Sequence, residues 1–242
     1  MHVKVMTYNI QHGLDYLKLL NQERFIDLDK ICNIIKDENP DIIGLNEVYN
    51  DIDNLKTTNQ AKYIANKLGY PYFYFGKSIL LKNNIEYGNA IISKYPIEKS
   101  IIHKIDDPVV KDENVYYESR IIIENNIKIN DEIIKVLVTH FGLAKSEQNL
   151  ATKKLLSLIN DNNKYIVVGD FNMEEDNENI IEIKKVLNDS TCLLETNKLT
   201  FPSLNPKIKI DYIFTKKIKM ESFKVIQKIS SDHFPCVLII SI

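Results

Sequence analysis

The 242-residue sequence has no tryptophan, only three cysteines and only two arginines among its 31 basic residues. Cys32, Cys192 and Cys236 are odd in number, widely spaced and set among apolar neighbours. This pattern indicates buried free thiols in a reducing compartment, and it disfavours both a disulfide framework and a zinc site. Because bidentate phosphate recognition usually falls to arginine, the scarcity of this residue draws attention to Arg120.

A strong charge of one sign and long apolar runs are also missing. The net charge is −2 and the lysines are spread along the chain, so the charge does not indicate non-specific binding to duplex nucleic acid, although a nucleic-acid substrate stays open. Residues 1–6 lack the apolar core of a signal peptide, and no apolar run reaches membrane-spanning length. No linker, low-complexity tract or repeat divides the sequence. We therefore expect one domain over residues 1–242, in a soluble, cytoplasmic and monomeric protein without a membrane partner.

Short apolar runs rich in Val, Ile, Tyr and Phe alternate with amphipathic helical patterns. Such runs predict partly buried strands at 3–8, 42–45, 72–75, 90–93, 120–123, 133–139, 165–169, 208–214 and 237–240. Apolar residues at helical spacing predict helices over 28–35, 61–68 and 151–159, with Gly69 as a C-terminal cap. The pattern alone predicts a mixed α and β domain in which strands outnumber helices, and it leaves the topology open.

Polar side chains follow several of these strands. Asp170 and Asn172 come directly after the run 165–169 and deliver a carboxylate and an amide together, a pairing that phosphate-ester chemistry uses. On its own the segment could equally be a turn with an N-cap. Three further segments carry similar groups, because Glu47 and Asn9 each follow an apolar strand and an acid precedes His233. Four polar strand ends of this kind indicate one shared site.

In this order, the segments resemble the endonuclease/exonuclease/phosphatase superfamily, whose members include DNase I. The resemblance covers nearly the whole chain and is carried by Thr7-Tyr8-Asn9, Leu45-Asn46-Glu47-Val48, Gly88-Asn89-Ala90, Glu118-Ser119-Arg120, Val138-Thr139-His140, Gly169-Asp170-Phe171-Asn172, Ile210-Asp211-Tyr212 and Ser231-Asp232-His233. It implies an α+β fold, a four-layer α/β/β/α sandwich of two stacked mixed sheets. The active cleft would open where strands of both sheets end.

The resemblance also implies a metal site. Glu47 matches the glutamate with which the family binds its catalytic Mg²⁺, although Asn46 replaces the usual glutamine before it. By itself the pattern favours a solvated carboxylate at a loop entrance for Glu47, and the resemblance reverses that interpretation. Asn9 would help to orient the metal shell or the phosphate, and Asp232 would face the metal or water. The chain has no Cys/His cluster that suits zinc, so Mg²⁺ or Mn²⁺ with oxygen ligands is the expected cofactor.

The catalytic residues predicted in the same way are Asp170, Asn172, His140, Asp211 and His233. Asp170 would position or deprotonate the attacking water, and Asn172 would donate its amide to the phosphate. Adjacent residues on an extended chain point to opposite faces, so the neighbouring Asp232 cannot orient the imidazole of His233. Asp211 is the partner that the resemblance implies, and this pairing should raise the pKa of His233.

Four further positions complete the expectations. His140 matches a family histidine that hydrogen-bonds the scissile phosphate in DNase I-like members. Asn89 and Arg120 are predicted to bind substrate, with a turn role for Asn89 and a structural ion pair for Arg120 as open alternatives. His12 is expected in a loop near the site, and the sequence does not indicate a catalytic or binding role for it.

The leading functional prediction is a divalent-metal-dependent phosphoesterase that hydrolyses a phosphodiester or a related phosphate ester by attack of water. Two alternatives remain, a noncatalytic interaction module that retains the fold and a nuclease acting on DNA or RNA. The sequence leaves open which phosphate ester is the substrate and whether it is a monoester or a diester.

Overall fold

The structure is a computed structural model that describes residues 1–51, 59–194, 196 and 198–242. The strands of this part of the chain are β1 (His2–Asn9), β2 (Ile42–Asp51), β3 (Tyr72–Leu80), β4 (Ile85–Ser93), β5 (Ile97–Lys104), β6 (Ile121–Ile129), β7 (Glu132–His140), β8 (Lys164–Asp170), β9 (Asn188–Asp189), β10 (Asp211–Lys216), β11 (Lys219–Val225) and β12 (Cys236–Ser241). The α-helices are α1 (Tyr16–Leu20), α2 (Leu28–Glu38), α3 (Gln60–Leu68), α4 (Lys145–Leu158) and α5 (Glu178–Lys184).

The strands form two six-stranded mixed sheets. The first sheet has the order β11-β12-β1-β2-β4-β3, and the second has the order β5-β6-β7-β8-β10-β9. Strands β1 and β2 pair in parallel, as do β7 and β8, and the other neighbouring strands are antiparallel. The predicted α+β sandwich of two stacked mixed sheets is confirmed.

Three apolar clusters hold the layers together. The cluster between the sheets contains Val5 and Ile42 from the first sheet and Val138 and Val168 from the second, all fully buried. At Gly44 the sheets approach so closely that an added Cβ would lie 2.2 Å from a methyl group of Val168. The outer face of the first sheet packs against α2 and α3, and that of the second against α4 and α5. These contacts produce the α/β/β/α order of layers.

The helix ends follow the local sequence. Asn59 accepts a hydrogen bond from the backbone nitrogen of Lys62 and so caps the start of α3. Gly69 ends the same helix at φ +75°, a left-handed conformation that glycine adopts without strain, which confirms its predicted capping role. Among the helices of the described residues, none has the length and apolar character needed to span a bilayer.

Sequence patterns missed the edge strands β5, β9 and β11 and the shortest helices, although they predicted the edge strand β3. Strands β5 and β11 are each an edge strand of a sheet. Their side chains are mostly half-buried or exposed, and many are charged. Edge strands commonly carry such charges because these oppose pairing with another chain, and the charges dilute the apolar signal. The strand predicted over 208–214 begins only at Asp211, because residues 207 and 208 instead pair with Phe201.

Candidate active site

The candidate site lies where the carboxyl ends of the two parallel strand pairs meet. Asn9 is opposite Asn46 in the register of β1 and β2, and His140 is opposite Asp170 in the register of β7 and β8. Because β1 and β2 pack on β7 and β8, the four strand ends converge at one edge of the sandwich. All four side chains are buried, although each is polar. Buried polar groups need partners, and these four find them at the same edge, in one another and in neighbouring residues such as Asn89, Arg120 and Asn172.

Asn9 joins the two sheets through its side-chain amide. Its Nδ2 donates to Glu47 Oε1 at 3.0 Å and to Asp170 Oδ2 at 3.0 Å. The residue therefore links the carboxylate predicted to bind metal with the carboxylate predicted to handle water. Its backbone carbonyl accepts a hydrogen bond from the hydroxyl of Ser231 at 2.7 Å, which ties β1 to the segment before His233.

Glu47 has a strained backbone within β2. Its φ is +55°, and the pairing register between β2 and β4 shifts between Leu45 and Val48. A left-handed conformation costs a residue with a Cβ about 1–2 kcal/mol, so the surrounding structure must hold it in place. The bulge leaves the carboxylate at the mouth of the site, with its side chain 21% exposed and Oε2 3.5 Å from Nδ1 of His12.

Asp211 and His233 form a buried pair. Asp211 Oδ2 lies 2.9 Å from Nδ1 of His233, and Nε2 of the same ring lies 3.6 Å from Asp170 Oδ2. Burial alone would lower the pKa of His233, but the carboxylates of Asp211 and Asp170 outweigh it and raise that pKa to about 10. Burial raises the pKa of Asp170 to about 7 although the charge of His233 opposes it. The cluster therefore combines a histidine that is charged at neutral pH with an acid that titrates near neutrality.

Asp232 lies next to His233 in sequence but contacts a different set of groups. Its Oδ2 accepts a hydrogen bond from Nε2 of Gln11 at 2.9 Å, and its Oδ1 accepts one from the hydroxyl of Ser231 at 3.1 Å. Burial raises the pKa of Asp232, His233 opposes this shift, and the negative charge of Glu47 adds to it. The two carboxylates predicted to bind metal are thus near enough to repel one another.

The donor set at Glu47 and Asp232 fits a hard divalent cation. Two carboxylates that repel one another are stabilised by a cation between them, and both present oxygen ligands, as Mg²⁺ and Mn²⁺ prefer. Oε1 of Gln11 is buried beside Asp232 and has no hydrogen-bond partner among the described residues. An unpartnered amide oxygen at this position would be available as a further ligand when a cation binds.

His140 and Asn172 present two donors side by side. Nη1 of Arg120 lies 3.0 Å from Nδ1 of His140, and a guanidinium can only donate, so Nδ1 must accept. Burial and the charge of Arg120 hold the pKa of His140 well below its usual range, so the ring is neutral and carries its proton on Nε2. Nδ2 of Asn172 lies 3.2 Å from that nitrogen and also donates to the carbonyl of Phe141. Two adjacent donors suit an anionic oxygen.

Arg120 and Asn89 lie behind the residues that face the centre of the site and contact those residues. Arg120 is buried, pairs with Glu118 Oε1 at 2.8 Å and contacts the side of the His140 ring away from Nε2. The ion pair that the sequence left open is therefore present, and a direct substrate contact by Arg120 stays a prediction. Asn89 accepts a hydrogen bond from Nδ2 of Asn46 at 2.9 Å, while its own Nδ2 is buried without a partner in the described chain. Substrate binding by Asn89 also stays a prediction.

Sequence reasoning missed the residues that orient this set. The amide of Asn46 accepts from the backbone nitrogen of Asp170 at 3.0 Å and donates to the carbonyl of Thr139 at 2.8 Å, which fixes the first sheet to the second. Gln11 holds Asp232, and the hydroxyl of Thr200 accepts from the backbone nitrogen of Asp211 at 3.4 Å. For Asn46 a signal existed, since a polar residue in an otherwise apolar strand demands a partner.

All ten predicted site residues lie at this edge of the sandwich. They form a side with two carboxylates at Glu47 and Asp232 and a side with two donors at His140 and Asn172, and the carboxylate of Asp170 lies between them. Such an arrangement can hold an anion against a cation and move a proton beside it.

Comparisons with known proteins identify the fold and the family. The model of the Endonuclease/Exonuclease/phosphatase family matches residues 6–233. The chain belongs to this family. Membership of the endonuclease/exonuclease/phosphatase family supports an enzyme that hydrolyses phosphate ester bonds. A comparison with curated proteins finds no match.

Several solved structures have the same architecture. An endonuclease/exonuclease/phosphatase from Beutenbergia cavernae is 19% identical with a TM-score of 0.81, and the match covers 100% of this chain and 72% of that one. The mannosyl-6-phosphatase of Bacteroides thetaiotaomicron is 17% identical with a TM-score of 0.74, over 99% of this chain and 100% of that one. The human Nocturnin catalytic domain is 18% identical with a TM-score of 0.73, over 99% and 94%. At these identities the likeness concerns the fold alone.

Proposed function

We propose that this protein is a divalent-metal-dependent phosphoesterase that hydrolyses a phosphodiester or a related phosphate ester by attack of water. The observation that carries the proposal is the position of the Asp170 carboxylate. Its Oδ2 lies 3.0 Å from Nδ2 of Asn9, 3.5 Å from Nε2 of His140 and 3.6 Å from Nε2 of His233. One carboxylate oxygen thus joins the side that would hold a cation to the side that would hold a phosphate.

Glu47 and Asp232 would hold Mg²⁺ or Mn²⁺, with the amide of Asn9 fixing the orientation of Glu47. When bound, the cation would supply positive charge against the oxygens of the phosphate. Gln11 would keep Asp232 in place through the hydrogen bond to its Oδ2. The strained backbone of Glu47 supports this role, because strain of this kind is kept where a side chain must be aimed.

Asp170 would accept the proton of the attacking water. A general base works best when its pKa lies near the working pH, and burial raises the pKa of Asp170 to about 7. Asn9 and the backbone nitrogen of Asn172 each donate to this carboxylate, which fixes its plane before any substrate binds. A fixed base loses little entropy when it reacts.

His233, His140 and Asn172 would bind and neutralise the phosphate oxygens. Asp211 keeps His233 charged and holds its ring by Nδ1, so Nε2 is left to donate toward the centre of the site. The neutral ring of His140 and the amide of Asn172 add two uncharged donors. Pre-positioned donors of this type stabilise the charge that develops on the phosphate in the transition state.

The alternatives predict different behaviour in one screen. The purified protein is incubated in chelator and then with Mg²⁺ or Mn²⁺, with bis(p-nitrophenyl) phosphate, p-nitrophenyl phosphate, mannose 6-phosphate, single-stranded RNA, supercoiled DNA and sphingomyelin. We include the sugar phosphate because a structural neighbour is named a mannosyl-6-phosphatase. Hydrolysis that disappears in chelator and returns with metal is expected. Undiminished hydrolysis in chelator would refute the metal dependence, and no hydrolysis of any substrate with either metal would refute the proposal and favour an interaction module.

A further inference from the structure

An open cavity of about 450 Å³ adjoins the candidate site. Its walls come from the first turn of α4, from the segment that follows β8 and from the chain before β10. Asn172 belongs to both places, because it lines the cavity and its Nδ2 lies 3.2 Å from Nε2 of His140. A group attached to a phosphate at these donors can therefore extend directly into the cavity. The volume lies in the range of pockets that bind small molecules.

The floor of the cavity is apolar and its rim carries oxygen acceptors. Met173 and Ile210 are 2% and 5% exposed and form part of the floor. The carboxylates of Glu174 and Asp176 lie on the rim, and within the described chain neither makes an ion pair or a side-chain hydrogen bond. These two acids are therefore available to a ligand.

The charge of the rim is negative. The lysine among the lining residues, Lys145, has its Nζ 3.3 Å from Oε2 of Glu178, so its charge is already matched. Glu174 and Asp176 then leave an excess of negative charge beside the phosphate donors. A second phosphate, or a nucleic-acid strand with a phosphate at every nucleotide, would be repelled here.

Among the described residues that line the cavity, none has an aromatic side chain. Bases bound to proteins commonly stack on aromatic rings, and the cavity offers no such surface. Carboxylate oxygens can only accept hydrogen bonds, so they select ligands that donate. The group that fits is non-aromatic, carries hydroxyl or ammonium donors and has no second phosphate.

We propose that this cavity binds the alcohol part of the substrate, and that this part is a hydroxyl-rich or amine-bearing group such as a sugar or an amino alcohol. The inference rests on the proposed phosphoesterase function, since a phosphate must be held at Asn172 for the cavity to receive its alcohol. It assigns selection of the substrate to Glu174 and Asp176, which the sequence did not single out.

The test compares matched phosphate esters in the metal-loaded enzyme. Glucose 6-phosphate and glucose 1,6-bisphosphate share a sugar and differ by one phosphate, while phosphoethanolamine presents an amine. The parent enzyme should have a higher kcat/KM for glucose 6-phosphate or for phosphoethanolamine than for the bisphosphate. The better substrate of the first two shows whether hydroxyl or ammonium groups donate to the acids of the cavity. A parent enzyme that prefers the bisphosphate overturns the inference.

Charge reversal separates a binding role from a structural one. Glu174→Lys and Asp176→Lys should each lower the ratio of kcat/KM for the monophosphate to that for the bisphosphate by about fivefold, the size expected for an exposed charge pair. Glu174→Gln should produce a smaller change in the same direction. Hydrolysis of p-nitrophenyl phosphate should change less than this ratio, because its ring carries no hydrogen-bond donor.

Glu182→Lys is the matched control, since Glu182 is an exposed acid of α5 that does not line the cavity and undergoes the same change in charge. An equal shift in this control would assign the effect to overall charge and overturn the inference. An unchanged ratio in both cavity variants, with normal hydrolysis of p-nitrophenyl phosphate, would overturn the inference and leave the proposed function standing. No hydrolysis of any ester by the parent enzyme would instead refute the proposed function.

Discussion

The contact between Asp211 and His233 makes a quantitative prediction about turnover. His233→Ala and Asp211→Asn should each lower kcat, and the double variant should be little worse than His233→Ala. The physical reason is that Asp211 acts through the imidazole that it holds, so its carboxylate has no separate effect once the ring is gone. Loss of a coupled pair is therefore strongly non-additive.

The magnitude follows from the geometry of the pair. An opposite charge at this range shifts a pKa by about 1–3 units, and each unit corresponds to about 1.4 kcal/mol. Asp211 Oδ2 lies 2.9 Å from Nδ1 of His233, and the two side chains are 1% and 5% exposed, which places the pair in the upper part of that range. A loss of about 3 kcal/mol lowers the pKa of His233 by about 2 units, so kcat of Asp211→Asn should fall little near pH 6 and by about tenfold or more near pH 9, where the ring loses its charge.

The pH profile supplies a second measurement. A charged donor is lost as pH rises through the pKa of the folded protein, which for His233 is about 10. Activity of the parent enzyme should therefore show no alkaline decline from this group up to pH 9. In Asp211→Asn the pKa of His233 falls toward the ordinary value of about 6.5, so a decline should appear at lower pH.

The assay measures kcat on bis(p-nitrophenyl) phosphate from pH 6 to 9, with thermal unfolding as the test of folding. His103 and Glu124 form a matched control pair, because His103 Nε2 lies 2.9 Å from Glu124 Oε2 on strands β5 and β6. His103→Ala should lower stability without changing kcat. Strictly additive losses in the Asp211 and His233 cycle, together with no alkaline decline of kcat in Asp211→Asn up to pH 9, would refute the reasoning.

Three further predictions concern single residues. Glu47→Gln should weaken Mg²⁺ or Mn²⁺ binding in calorimetry while the melting temperature stays near that of the parent, and unchanged affinity would contradict its place in the metal site. Asp170→Asn should lower kcat by about a hundredfold with a small change in KM, and a change in KM alone would leave it a positioning residue. Burial lowers the pKa of Lys209 to about 8, although the charges of Asp189 and Glu175 oppose this shift. Between pH 8 and 10.5 the unfolded chain therefore binds a proton at Lys209 that the folded protein has lost. The free energy of unfolding should rise by about 1–3 kcal/mol over this range. Lys209→Met should abolish this rise in urea titrations, and a rise that persists would show that another group causes it.

Much of the fold could be predicted from the sequence because the central strands are buried on both faces. Strands such as β7 and β8 are apolar along most of their length, and apolar runs of this kind are a strong signal. The edge strands β5 and β11 face solvent on one side or at one edge, so their sequences contain too few apolar residues in register to stand out. The pattern of apolar residues along the sequence therefore predicts which strands are buried better than it predicts which segments pair as strands.

Part of the candidate site was also accessible, because strand ends in order along the chain carried its acids and histidines. What pattern could not supply was which groups touch. Nδ1 of His140 accepts a hydrogen bond from Arg120, which is 20 residues away in the sequence. Asn46 bridges the two sheets by a hydrogen bond from Asp170, which is 124 residues away. Patterns along the sequence do not report contacts of this kind. The strained backbone of Glu47 was equally hidden, because no residue type announces a left-handed conformation in a strand as glycine does.

The position of the site follows from the topology of the sheets. In an antiparallel pair the carboxyl ends of neighbouring strands lie at opposite edges, whereas in a parallel pair they lie at the same edge. Each sheet of the described chain has its parallel pair at the centre, β1 with β2 and β7 with β8, and these pairs pack on one another. The last paired residues of both parallel pairs therefore meet at one edge, where Asn9, Asn46, His140 and Asp170 are buried. Since Asn9 and Asn46 of the first sheet both hydrogen-bond Asp170 of the second, the loss of either amide leaves a buried polar group of the other sheet without a partner, and the two halves of the site depend on each other.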